Sequence, residues 1–100
     1  MTREQLVEKI ARTCCEANGQ EADAFLASGT EAEWTFYVVD AIAALSAIEA
    51  AGLRIVPAEA TTAQLYAGQR AWLADAERKS STLYRAMVAA SPIEPKEDSQ

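Results

Sequence analysis

Carboxylates are the most abundant chemically active groups in this sequence, but their spacing does not build a catalytic pair. Glu31 and Glu33, like Asp75 and Glu77, are two residues apart, so on a helix their side chains project in different directions. General acid–base catalysis needs groups that converge on one substrate. The sequence also lacks a glycine-rich phosphate loop and a Gly-x-Ser-x-Gly elbow. We therefore predict that the protein is not an enzyme.

The residue types of this sequence do not favour a metal site or a reactive thiol. The 100 residues contain no histidine, and the only two cysteines, Cys14 and Cys15, are adjacent. Neighbouring cysteines do not reach ordinary disulfide geometry. Without histidine or a second cysteine pair, neither a zinc site nor a Cys–His nucleophile can be assembled. The sequence predicts no metal and no cofactor, and it assigns both cysteines to a buried helix face as small apolar residues.

The distribution of charge is the most distinctive property of the chain, whose formal net charge is −6. No Lys or Arg lies between Arg12 and Arg54. The acids in that interval are Glu16, Glu21, Asp23, Glu31, Glu33, Asp40 and Glu49. Such a field repels nucleic-acid phosphate and attracts a basic protein surface. We predict a protein partner with a basic surface and no direct binding of nucleic acid.

Six of these acids are the candidate protein-binding residues. They are Glu21, Asp23, Glu31, Glu33, Asp40 and Glu49. Two interpretations stay open: the acids form a recognition surface, or they form a solvated helix surface that keeps a small protein in solution. Asp40 lies within the apolar stretch 38–42, where it either points to solvent or, if buried, requires an Arg or hydroxyl partner.

Helices are expected to position the first group of acids. Apolar residues at helical spacing predict a helix over residues 3–17, with Thr2 as its N-cap. A brief helix or structured turn is predicted over residues 21–27. Thr30 and Glu33 fit the capping box, in which each side chain binds the other residue's amide, so a central helix is predicted over residues 31–51.

The second half of the chain predicts an extended link followed by further helix. Residues 53–57 contain the β-branched pair Ile55 and Val56 and end at a proline, which favours extended backbone. Thr61 and Gln64 form another capping-box pattern and predict a helix from 62 to about 77. A final helix is predicted to begin at Ser80 or Ser81, and whether it is continuous with the preceding helix stays open.

Together these elements predict an all-α protein, a small bundle of four to five helices with one short extended segment near residues 53–57. We expect one helical domain over residues 1–92 and a disordered polar tail over 93–100. No apolar run reaches the roughly 20 residues that span a bilayer, and the N-terminus does not resemble a signal peptide. The sequence therefore predicts a cytoplasmic protein with no membrane partner.

Alanines make part of the predicted central helix almost smooth. They are Ala41, Ala43, Ala44, Ala47, Ala50 and Ala51. Small side chains allow another helix to approach closely, and that helix is either internal or belongs to a second copy of the chain. If Ala43, Ala44 and Ala47 are exposed beside Phe36, the surface suits a symmetric homodimer.

Three segments carry a family resemblance: residues 44–61, 65–68 and 83–92. The first segment contains Ala-Ala-Gly, then Val-Pro, then Thr. The second contains Ala-Gly, and the third contains Tyr-Arg-Ala-Met and ends at a proline. This pattern resembles a loose group of small uncharacterised bacteriophage and prophage proteins, over about half of the chain. The resemblance implies that a helix, an extended link and another helix are arranged as in that group of proteins. It brings no active site to this sequence.

The resemblance also suggests a class of function, by analogy. Small acidic phage proteins often bind host machinery, and among them are anti-CRISPR proteins that block a nucleic-acid-binding effector. We therefore predict a phage-encoded accessory protein that binds and inhibits a basic host protein, with a nucleic-acid-binding defence complex as the suggested target. The alternative is a structural or regulatory homo-oligomer with no host target.

Overall fold

The computed structural model describes residues 1–25, 29 and 31–95. Within these ranges the chain forms four α-helices and one 3₁₀ helix, and no strand. The α-helices are α1 (Arg3–Ala17), α2 (Val38–Ala50), α3 (Thr62–Ala74) and α4 (Ser80–Ala89), and the 3₁₀ helix is Glu33–Tyr37. The predicted all-α class is confirmed. None of these helices combines the length and the hydropathy needed to cross a bilayer.

The chain divides into two compact units, Met1–Leu53 and Arg54–Glu94. The first unit contains α1, the 3₁₀ helix and α2, and the second contains α3 and α4. A single domain over residues 1–92 stays a prediction.

Helix α1 has the bounds that its sequence predicts. Thr2 accepts a hydrogen bond from the Gln5 amide at 3.2 Å, and Gln5 accepts one from the Thr2 amide at 2.8 Å. This capping box satisfies two amides that would otherwise lack partners at the helix start. Ala11 and Cys15 are fully buried on the inner face, and both cysteines are free. Burial, with the nearby charges of Glu33 and Glu16, raises the pKa of the Cys15 thiol.

The predicted central helix over 31–51 is wrong at its start. The 3₁₀ helix begins at Glu33, its N-cap residue Ala32 makes no side-chain capping bond, and α-helix begins only at Val38. The Glu33 amide, which a capping box would use, donates instead to the carbonyl of Ala24. Thr30, the predicted cap, lies outside the described residues. The helix start is therefore fixed by backbone pairing with the preceding loop and not by a local cap.

The element predicted over residues 21–27 is not helical in its described part. Residues 22–24 form a turn, and Phe25 makes an isolated antiparallel bridge with Ala32. Residues 26 and 27 lie outside the described part of the chain. This bridge and the amide bond to Ala24 place residues 22–25 beside residues 31–33, so acids from two separate stretches of sequence come together.

Helix α3 begins where the sequence predicts, because Thr61 and Gln64 form a complete capping box. It ends at Ala74, three residues earlier than predicted, and the chain then turns at Arg78, whose φ is +51°. The predicted serine cap of α4 is also wrong, since Lys79 is its N-cap residue and makes no side-chain bond. Helices α3 and α4 are thus separate.

Asp75 provides the hydrogen bonds that organise this turn. Its carboxylate accepts the amides of Glu77 and Lys79, each at 3.0 Å. The Thr82 hydroxyl, these two amides and the charge of Arg78 lower the pKa of Asp75. The carboxylate therefore holds the turn before α4, whereas the predicted serine cap would have bound an amide inside the helix.

Residues 53–57 form neither helix nor strand, in line with the predicted link. Ser91 fixes the link to the end of α4: its buried hydroxyl donates to the Ile55 carbonyl at 2.9 Å and accepts the Ile93 amide at 3.1 Å. Ile93 is itself only 7% exposed, so the predicted tail is wrong at its first residue. Residues 96–100 of that tail lie outside the described residues.

Candidate protein-binding site

Three acids of the first unit line one shallow polar depression of about 430 Å³. Glu16, Glu21 and Asp23 surround it, together with Gln20. Glu16 comes from the end of α1, whereas the other two come from the loop that the Phe25–Ala32 bridge holds in place. Exposed carboxylates this close reinforce one another, because their separation is within a Debye length at physiological salt.

Glu31 extends this group from the neighbouring segment. It is exposed, and within the described part of the chain it accepts one long hydrogen bond of 3.5 Å, from the Thr35 hydroxyl. We define the acidic surface as Glu16, Glu21, Asp23 and Glu31. Three of these four were predicted site residues, and Glu16 was noted as an acid of the interval but not chosen.

Arg12 is the cation that organises this end of the unit. Its guanidinium donates to Asp23 at 2.8 Å and to Glu8 at 2.7 Å, and these two hydrogen bonds raise the pKa of Arg12. The same guanidinium lies 5.1 Å from the centre of the Trp34 ring, within the range of a cation–π contact. Arg12 therefore connects the acidic surface to Trp34.

The remaining predicted site residues do not join this surface. Glu33 is half-buried, and Asp40 is exposed on α2, so its solvent-facing interpretation holds. Burial raises the pKa of Tyr37, and the charges of both acids contribute to the shift. Glu49 pairs with Arg3 at 2.5 Å, and the two side chains are only 10% and 17% exposed. Glu49 thus joins α2 to α1 and is not available at the surface.

An apolar groove of about 410 Å³ lies between α1 and α2. Its apolar lining is Val7, Trp34, Val38 and Ile42, and its charged lining is Arg3, Glu4 and Glu8. Sequence reasoning missed this groove and the role of Arg12. The Glu8–Arg12 pair was recognisable from its i,i+4 spacing.

The outward face of α2 is exposed and mostly apolar, with Asp40 as its charged member. Phe36 just before the helix is 69% exposed and Val39 is 74% exposed. Ala43, Ala44 and Ala47 follow them on this face and are also exposed, whereas Ala41 packs inward. Internal packing, one of the two interpretations of these alanines, therefore holds for Ala41 but not for these three.

Among the described residues no cluster of three or more histidines, cysteines or acids is arranged to hold a metal ion. Comparison of the chain with protein-family models, with curated proteins and with solved structures finds no match. The fold and the surface define a small all-α protein with an acidic surface beside an apolar groove.

Proposed function

We propose that this protein binds a protein partner with a basic surface, and that it acts as a phage-encoded inhibitor of a nucleic-acid-binding host defence complex in the host cytoplasm. The observation that carries the proposal is the concentration of acids in one unit. Met1–Leu53 holds 9 acidic and 3 basic residues, and two of the basic ones are already paired with carboxylates. This unit therefore carries an excess of negative charge.

A basic protein surface is the complement of this charge. Nucleic-acid-binding proteins carry Lys and Arg along the path of the phosphate backbone. A surface with several close carboxylates offers those cations an alternative partner, and opposite charge accelerates the encounter. Occupying the basic path excludes the nucleic acid, which is the mechanism that we propose for inhibition. No catalytic step is involved.

The acidic surface is tested by reversing Glu16, Glu21 and Glu31 to Lys together. These residues are exposed, so the variant should fold, because single surface charges contribute about 0 to 1 kcal/mol each to stability. We expect the parent protein to restore phage plaquing on a host with a defined CRISPR–Cas system, and the variant to lose this effect. Affinity for the purified effector complex should fall with added salt in the parent only.

The matched control reverses Arg70, Arg78 and Arg85 of the second unit to Glu. These residues are also exposed, and the proposal predicts that their reversal leaves binding intact or strengthens it. If the acidic variant binds as well as the parent while the arginine variant fails, the binding surface belongs to the second unit and the proposal is wrong.

A homo-oligomer without a host target is the second candidate, favoured by the exposed apolar face of α2. Val39→Arg places a positive charge on that face, at its most exposed large apolar side chain. If two copies pack there, the parent should sediment as a dimer and the variant as a monomer. Added salt should strengthen this dimer, because each copy carries a net charge of −6. A parent that stays monomeric at all salt concentrations contradicts this candidate.

A further inference from the structure

The groove between α1 and α2 continues from the acidic surface. Trp34 lines the groove and lies under the Arg12 guanidinium, and that guanidinium also binds Asp23 of the acidic surface. A partner segment that reaches the acidic surface is therefore within a few side chains of an apolar cavity.

We propose that this groove binds one large apolar side chain of a partner segment that also carries Lys or Arg. The proposal rests on the proposed function, and it identifies the partner's anchoring residue by its chemistry. Val7, Trp34, Val38 and Ile42 line the cavity with aliphatic and aromatic surface, and none of the four is fully buried. Interfaces place their strongest contacts in such pockets, where an anchor displaces water from apolar walls.

The groove has room for such an anchor. At about 410 Å³ it lies within the range of roughly 300 to 1,000 Å³ that is typical of small binding sites. The charged residues of its lining, Arg3, Glu4 and Glu8, all come from α1, so the wall that α2 and the 3₁₀ helix provide is apolar.

The charged lining of the groove selects for a cation beside the anchor. Glu4 is exposed, and Glu8 lies one turn further along α1. Arg3 pairs with Glu49 and Arg12 binds Glu8, so Glu4 is the acid of this lining that would meet a partner cation. A partner Lys or Arg next to the apolar side chain would meet a carboxylate at this edge. A second copy of this chain, with its net charge of −6, fits this edge poorly.

The experiment uses a synthetic helical peptide of leucine and lysine as the probe, and a peptide of alanine and lysine as its matched control. Trp72→Phe leaves Trp34 as the remaining tryptophan, so its fluorescence reports the groove directly. We expect the leucine peptide to shift the Trp34 emission to shorter wavelength and to bind about tenfold more tightly than the alanine peptide.

Val38→Arg and Val39→Arg form the decisive pair of variants. Val38 lines the groove, whereas the neighbouring Val39 does not line it and is 74% exposed. We expect Val38→Arg to weaken binding of the leucine peptide about tenfold and Val39→Arg to leave it unchanged. Glu4→Lys tests the charged edge without touching the apolar lining, with Glu59→Lys as the control of equal charge. Glu4→Lys should weaken binding more than Glu59→Lys does.

Each result separates this proposal from the proposed function. If both peptides bind equally tightly, or if the leucine peptide binds Val38→Arg and Glu4→Lys as well as the parent, the groove proposal is overturned while salt-dependent binding to the acidic surface stands. If neither peptide binds at low salt, the proposed function fails as well. If Val38→Arg converts a dimeric parent to a monomer, the occupant is a second copy, and a basic partner segment is ruled out.

Discussion

Replacing Gln64 by alanine should lower the free energy of unfolding by about 3 kcal/mol, because this one side chain satisfies two helix ends. Gln64 is only 3% exposed. Its carbonyl oxygen accepts the Thr61 amide at the start of α3, at 2.9 Å. Its amide nitrogen donates to the Met87 carbonyl in the last turn of α4, at 3.0 Å. The substitution removes both bonds and leaves a cavity.

Gln64→Glu is the matched control, because glutamate keeps the shape and the capping acceptor but cannot donate to Met87. At neutral pH its carboxylate would face the Met87 carbonyl oxygen, so its pKa should be raised in the folded state. The protonated acid can donate again. The stability cost of Gln64→Glu should therefore be small below the unfolded pKa of glutamate and should grow as the pH rises through and above it.

Chemical denaturation of the parent and both variants at several pH values checks this prediction. The midpoint of Gln64→Ala should fall by the same amount at every pH, since alanine has no titrating group. A Gln64→Glu variant as stable as the parent at neutral pH would show that the bond to Met87 contributes nothing to the packing of α3 on α4.

The Thr-x-x-Glu/Gln patterns at Thr2, Thr30 and Thr61 show how far local sequence determines helix starts. The pattern at Thr61 predicts a capping box that forms, and at Thr2, where the sequence predicts only an N-cap, a complete capping box forms. The pattern at Thr30 also predicts a capping box, yet the Glu33 amide binds the carbonyl of Ala24. A capping box needs a free amide, and long-range backbone pairing decides whether the amide is free.

The sequence predicts the charge of the candidate site but not which residues form it. The sequence identified the acidic interval, because the absence of Lys and Arg from it is a property of the chain alone. Which acids share a surface depends on pairing across space. The sequence prediction includes Glu49, which Arg3, 46 residues away, binds, and it omits Glu16, which lines the same depression as Glu21. The groove combines Val7 with Ile42, which no spacing pattern links.

Gly68→Leu should destabilise the second unit by about 3 kcal/mol, because α4 packs against the bare backbone of α3 at this position. A Cβ atom at Gly68 would lie 2.7 Å from Met87 Cγ, 3.1 Å from Met87 Sδ and 3.2 Å from Leu83 Cδ1. The sequence shows only that glycine costs about 1 kcal/mol within a helix relative to alanine. The structure supplies the compensating gain, which is the close approach of the two helices.

Two further variants separate steric conflict from helix propensity. Gln69→Leu introduces the same side chain at the next, exposed position, so it should leave the unfolding midpoint nearly unchanged.

Met87→Ala removes the atoms that a new side chain would meet. In the double variant, Gly68→Leu with Met87→Ala, the leucine can occupy the space that Met87 leaves. We therefore expect the double variant to be about 1 to 2 kcal/mol more stable than the sum of the two single effects predicts. Denaturation of all four proteins measures this coupling. Strict additivity would show that Gly68 is not in contact with Met87, and that the cost of leucine arises elsewhere in the second unit.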